Sequence, residues 1–181
     1  MKVVIIRHGE VGHKIREWCD PKEYEEDVKA YDLAPILPMN YDVPQVDHAT
    51  YYVSMLPRTL ATAKAIFGER EYIATELLNE VPIAASIRTK LRLPLAFWSI
   101  SARLQWLFNS KRQKEGKRDT VIRANRFIDD LLEKKEDCVV VTHGFFMITL
   151  LSEMKKRGFT LKGKSAGFSN GESVEGYIDI R

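Results

Sequence analysis

Two short β-branched runs, Val3 to Ile6 and Val139 to Val141, constrain this chain more than any other feature, because both end alike. Arg7, His8 and Gly9 follow the first; His143 and Gly144 stand behind the second. An apolar run of this length, closed by polar residues and a glycine, reads as a buried parallel strand releasing its chain into a loop at its carboxyl end. Open α/β sheets place ligands at that edge. Two imidazoles and an arginine delivered to one edge of one sheet make a constellation for an anion, and chemistry on a phosphoryl group fits it best.

The rest of the chain alternates in the same way. Tyr51 to Val53 is a strand candidate. Pro57 suits the first turn of a helix that continues from Thr59 to Phe67 and stops at Gly68. Glu71 to Ala74 is a third strand, and Leu77 to Ile83 a loop. The polar stretch through Glu26 begins with a helix, and Pro35, Pro38 and Pro44 mark irregular surface chain. Pro94 opens a helix to about Phe108 with Phe97, Ile100, Leu104 and Leu107 on one face. A helix from about Asp119 carries Val121, Ala124, Ile128, Leu131 and Leu132. Cys138 to Thr142 is a strand, Phe146 to Arg157 a helix, and Gly176 to Ile180 a last strand added to a sheet edge. The expected fold is a three-layer α/β/α sandwich with a mostly parallel central sheet and helices on both faces. The 181 residues suit one domain, 1–181.

The formal net charge is only +3, so no nucleic-acid partner is expected. Cys19 and Cys138 have neither metal-ligand spacing nor a disulfide framework, which points to a reducing cytoplasm. The amino terminus enters a strand at once and no long apolar stretch exists, so neither a signal peptide nor a membrane partner is expected.

Phosphoryl transfer needs directional cationic donors around three equatorial oxygens, an in-line nucleophile and a proton source for the leaving oxygen. Arg7 and Arg58 each offer a planar fork, and Arg58 lies in the first turn of a helix whose dipole favours an anion. A neutral His8 can attack phosphorus through one ring nitrogen while the other is held by a hydrogen bond. His143 completes the clamp, as a cationic donor or as a positioner of water, and Gly144 lines the same place. Glu80 is the candidate proton donor, since a carboxyl beside a bound phosphate is pushed toward its protonated form. No metal or cofactor is called for, because arginines and imidazoles supply the charge.

These residues resemble the histidine phosphatase superfamily that includes the cofactor-dependent phosphoglycerate mutases. Arg7 to Glu10 resemble its signature; Ser54, Pro57, Arg58, Thr59, Thr62 and Ala63 its second block; Leu78, Asn79 and Glu80 its acid loop; Thr142 to Gly144 its last block, with Arg123, Phe127 and Leu131 in the helix before it. The resemblance implies the phosphoglycerate mutase-like fold, a nucleophilic His8, a phosphate pocket of Arg7, Arg58 and His143, and Glu80 as acid. It also implies that residues 83–118, which match no motif, form a helical segment covering the pocket.

The chain departs from the family pattern in several places. Val11 and Lys14 stand where many members have Ser or Thr and Asn, so Lys14 either replaces that phosphate contact as a cation or the contact is missing. Pro82 to Ser86 replaces a glycine-rich, tryptophan-containing stretch, and Phe145 replaces a second glycine. The leading expectation is a metal-independent phosphomonoester hydrolase acting on a small phosphorylated metabolite, as monomer or homodimer. A phosphoglycerate mutase-type phosphotransferase, a phosphohistidine protein phosphatase and a catalytically weak phosphate-binding module are the alternatives. His13 and His48 read as surface or turn residues, Ser54 as a strand-end residue, and Trp98, Trp106 and Phe108 as core or pocket wall. The basic set from Arg88 to Arg118 reads as a solvated face, with Arg88, Arg92 and Arg103 as candidates for holding an anionic part of the substrate.

Overall fold

Along the chain the strands are β1 (Lys2–Arg7), β2 (Trp18–Cys19), β3 (Thr50–Ser54), β4 (Ile73–Thr75), β5 (Leu93–Pro94), β6 (Cys138–Thr142), β7 (Thr160–Lys162) and β8 (Ser173–Tyr177). The helices are α1 (Pro21–Leu33), α2 (Pro57–Phe67), α3 (Leu95–Leu107), α4 (Lys117–Lys134) and α5 (Gly144–Lys156). The computed structural model describes residues 1–179.

Six strands form one sheet in the order β4-β3-β6-β1-β8-β7; β4, β3, β6 and β1 run parallel, while β8 is antiparallel to both of its neighbours. Val3, Val4, Ile5 and Ile6 are all fully buried, which requires cover on both faces. Val3, Ile5 and Val140 pack with Ala124, Phe127 and Ile128 of α4 and Phe146, Met147 and Leu150 of α5. Val4, Ile6, Val139 and Val141 pack with Ala63 and Phe67 of α2. The sequence-based expectation of a three-layer α/β/α sandwich holds. A third cluster of Cys19, Tyr24, Ala85 and Trp98 joins α1 and α3 beside the ribbon formed by β2 and β5.

Local chemistry accounts for the helix ends. Asp20 accepts from the amides of Lys22 and Glu23, and Glu23 accepts from the Asp20 amide, a reciprocal cap with Pro21 in the first turn. Such a cap stabilises a helix by about 1 kcal/mol. Pro57 opens α2 and Gly68, at φ +74°, closes it.

Expectations for three elements need correction. The polar stretch through Glu26 does not begin with a helix; its helix starts at Pro21 and runs on to Leu33. The last strand runs from Ser173 to Tyr177 and lies between β1 and β7; the edge belongs to β7, for which the sequence has only a three-residue run. Of the expected span, Ile180 lies outside the described residues. The face of α3 carrying Phe97, Ile100, Leu104 and Leu107 points outward, and Phe108 is exposed too. Trp98 and Ala102, on the other side, are buried, Trp98 in the small α1 cluster, and Trp106 packs against the main core at the far end of the helix.

Candidate active site

The pairing register explains why distant residues converge. Arg7 stands opposite Thr142 across β1 and β6, and Val53 opposite Val141 across β3 and β6. His8 and His143, the next residues of their strands, and Ser54, the last residue of β3, therefore emerge side by side at the carboxyl edge of the sheet. His8 N donates to the Thr142 carbonyl at 2.9 Å, which extends the ladder by one residue. The rings of His8 and His143 lie 5.1 Å apart at 60°. Arg58, from the first turn of α2, donates through Nε to His8 Nε2 at 3.2 Å and through Nη1 to the Asp32 carboxylate at 2.9 Å. Its guanidinium lies 5.3 Å from the centre of the Tyr31 ring. These are deeply placed groups: His8 and Arg58 are 2 % exposed and His143 is 0 % exposed.

Hydrogen bonds set the tautomer of His8. Nδ1 lies 2.7 Å from the Gly9 carbonyl, which can only accept, so Nδ1 carries the proton and Nε2 the lone pair. The loop behind it is fixed by Asn170, which donates to the carbonyls of His8 and Gly9 at 3.1 and 3.0 Å, and by Gly9 N, which donates to Thr62 Oγ1 at 2.9 Å. A Cβ at Gly9 would stand 2.3 Å from the Tyr41 hydroxyl, so a larger residue there requires the Tyr41 ring to move. Burial, and then the positive charges of Arg58 and Arg7, push the His8 pKa down to about 3, against the opposing pull of the Gly9 carbonyl. The ring is neutral throughout the physiological range.

His143 is also held well below its ordinary pKa, by burial first and then by Arg58, His8, Arg123 and Arg7. Its Nε2 lies 2.8 Å from Ser54 Oγ. The Thr59 hydroxyl donates to the Leu56 or Ser54 carbonyl, at 2.9 and 3.1 Å, so the Ser54 proton can be shared between His143 and Thr59. When Ser54 donates to Nε2, the proton of His143 sits on Nδ1. That atom and Arg7 Nε are buried without a hydrogen-bond partner among the described residues. The opposite side of the Arg7 fork is anchored, Nη1 donating to the Phe168 carbonyl.

Glu80 reaches the site from the turn after β4. Its carboxylate accepts from the amides of Val81, Phe145 and Phe146 at 2.9, 3.3 and 3.0 Å, and so caps the amino terminus of α5. Arg123 of α4 fixes this turn by donating through Nη1 to the carbonyls of Leu77 and Asn79 at 2.9 and 2.7 Å. The rest of its fork grips the Glu115 carboxylate, and its charge lies 4.3 Å from the centre of the Phe146 ring. Arg103 of α3 lies over the Phe145 ring at 3.6 Å, with Glu80 as its main electrostatic partner. A cavity of about 1060 Å³ opens over Arg7, His8, Arg58, Glu80 and Gly144.

The structure thus brings Arg7, His8, Arg58, Glu80, His143 and Gly144 together. Lys14 is exposed and stands outside the cavity lining, as do Arg88 and Arg92. His13 approaches Asp27 at 3.7 Å, away from this edge. Sequence reasoning missed Asp32, Tyr31 and Asn170, which sit in segments without motifs. It undervalued Ser54, whose position at the end of β3 was the available signal.

Solved structures share this fold at low identity. TTHB049 from Thermus thermophilus matches with 20% identity and a TM-score of 0.55, over 97% of this chain and 92% of that one. A phosphoserine phosphatase from Entamoeba histolytica, solved with 3-phosphoglyceric acid, matches with 18% identity and a TM-score of 0.53, over 86% and 80%. The alpha-ribazole phosphatase from Shigella flexneri matches with 18% identity and a TM-score of 0.55, over 85% and 79%. No curated protein matches the sequence. Residues 3–163 match the Histidine phosphatase superfamily (branch 1), and by this match over most of its length the chain belongs to that superfamily.

Proposed function

We propose that the chain is a phosphomonoester hydrolase working through a covalent phosphohistidine on His8, with a small phosphorylated metabolite as substrate. The observation that carries this reading is the state of His8: neutral, its Nδ1 proton given to the Gly9 carbonyl, its Nε2 lone pair aimed at Arg58. The Nε2 pair attacks phosphorus and the bond to the leaving oxygen breaks. Arg58 Nε shifts from His8 Nε2 to a phosphoryl oxygen, and Arg7 Nε and His143 Nδ1 supply further donors to the developing charge. Glu80 takes up a proton as the phosphate binds beside it, gives that proton to the leaving oxygen, then takes one from the water that splits the phosphohistidine, releasing phosphate and neutral His8.

The reading extends to specificity. Residues 83–118 cover the pocket: Ile83, Ser99 and Arg103 line the cavity, whose size is that of a metabolite site. Two of the similar structures are named as phosphatases, one for phosphoserine and one for alpha-ribazole, and both names agree with a small phosphate ester. The buried thiols of Cys19 and Cys138 suit a reducing cytoplasm.

The test is turnover of p-nitrophenyl phosphate in the presence of a chelator, with rapid alkaline quenching to find the covalent intermediate. Turnover and an acid-labile, base-stable phosphoryl label are expected in the wild type and neither in His8→Ala. A label that survives His8→Ala would overturn the nucleophile assignment. Turnover that fails with every monoester while vanadate binds tightly would favour a binding module.

A further inference from the structure

We propose that the outer face of α3, with the basic segments at its two ends, docks the protein on an anionic lipid bilayer surface. Helix α3 is apolar nearly all round, yet only one side of it is used. Trp98 enters the α1 cluster, Ala102 is buried, Trp106 packs against the main core, and Ser99 and Arg103 face the cavity. The remaining side presents Phe97, Ile100, Leu104, Leu107 and Phe108 to solvent, with Ile100 61 %, Leu104 51 % and Phe108 77 % exposed. Their spacing of three and four residues places them along one stripe. At these exposures they leave on the order of 500 Å² of apolar surface open, at the upper end of the largest patch of a monomer. Trp18, paired with Pro94 at the helix entrance, and Leu91 are exposed at the same end.

Charge selects the occupant. Residues 87–118 hold nine Lys and Arg against one acid, Glu115, in a chain of net charge +3, so the remainder of the molecule is net negative. Arg103 is turned into the cavity and Arg92 is paired with Glu23. Arg88 and Lys90 before the stripe, and Lys111, Arg112, Lys114 and Lys117 after it, are exposed and form no ion pair among the described residues. A second copy of the chain would bring two such basic segments together, which repels. A nucleic acid would leave the apolar stripe unmatched. An interface of hydrocarbon and anionic headgroups matches both, with the stripe entering the acyl boundary and the lysines and arginines at the headgroups. No helix among the described residues is long and apolar enough to cross a membrane, so docking is peripheral. The expectation of no membrane partner rests on the lack of an apolar span, and peripheral docking needs none.

The experiment is sedimentation of the intact protein with vesicles of phosphatidylglycerol and phosphatidylcholine, against phosphatidylcholine alone, at low and high salt. Binding is expected only to the anionic vesicles and is weakened by salt. It should fall by about tenfold or more in Ile100→Asn/Leu104→Gln, and again in Lys111→Glu/Arg112→Glu/Lys114→Glu. Both variants alter exposed side chains, so turnover of a soluble monoester should be unchanged and certifies the fold. The proposal is overturned if anionic vesicles do not sediment the protein, or if the apolar double variant binds them as the wild type does. It is equally overturned if ultracentrifugation shows a dimer that the double variant abolishes, without vesicle binding, or if polyglutamate binds in place of vesicles, which would assign the face to an acidic protein.

Discussion

Replacing His8 by Gln should make the protein less sensitive to acid, and the size of the effect follows from its burial. In the unfolded chain a histidine titrates near ~6.5. In the folded protein burial, Arg58 and Arg7 hold His8 down to about 3. Between these two values the unfolded state binds a proton that the folded state refuses, so stability falls as pH drops through this window and the loss is complete below the folded value. Going from about pH 7 to about pH 4.5, this one ring removes about 2.5 kcal/mol of folding stability. Glutamine fills much the same volume and does not titrate. Urea unfolding of both proteins at the two pH values, in a buffer free of phosphate, measures the difference; the carboxylates are common to both and cancel. The wild type should lose about 2.5 kcal/mol more than His8→Gln over the interval. Equal losses would show that His8 is hydrated and freely titrating, and the proposal of a neutral His8 nucleophile would fall with it.

The same burial predicts that the acid limb of kcat/KM against pH comes from the second ionisation of the substrate phosphate near ~6 and not from His8; replacing the ester by a thiophosphate of lower pKa should move that limb to lower pH. Arg123→Met should reduce kcat by roughly 10-fold to 100-fold and leave vanadate affinity nearly unchanged, because Arg123 holds the backbone of the turn that leads into Glu80, through the Leu77 and Asn79 carbonyls. Gly144→Ala places a Cβ 2.9 Å from Arg7 Nε, so vanadate binding should weaken about tenfold while stability, measured by urea, stays within about 1 kcal/mol. Ser54→Ala frees His143 Nε2 and should lower kcat/KM by about tenfold, read from turnover of p-nitrophenyl phosphate.

The echoed strand ends were the legible part of the site. Consecutive β-branched residues buried on both faces leave little choice but a central parallel strand, and two such strands in register bring their following histidines together. Arg58 was legible because Pro57 announces a helix start. Asp32, by contrast, belongs to a helix so polar that periodicity barely marks it, and its role arises only from how α1 leans on α2. The α3 stripe misled for the opposite reason. Apolar spacing reveals a helix and an apolar face, but what covers that face depends on tertiary placement, and here Trp98 rather than the stripe entered the core.

The strand order has a consequence for how activity is acquired. Strand β6 lies between β1 and β3, although it is made after both and is separated from β1 by well over half the chain. Until it inserts, β1 and β3 have no common neighbour in the sheet, and His8 and Ser54 lack the strand whose register sets them side by side at one edge. The candidate site is therefore completed late in folding, after the closure of a long loop. On the function proposed above, a ribosome-bound chain that ends before Cys138 carries Arg7, His8 and Arg58 but lacks His143 and the strand beside which they gather, so it should not form the phosphohistidine.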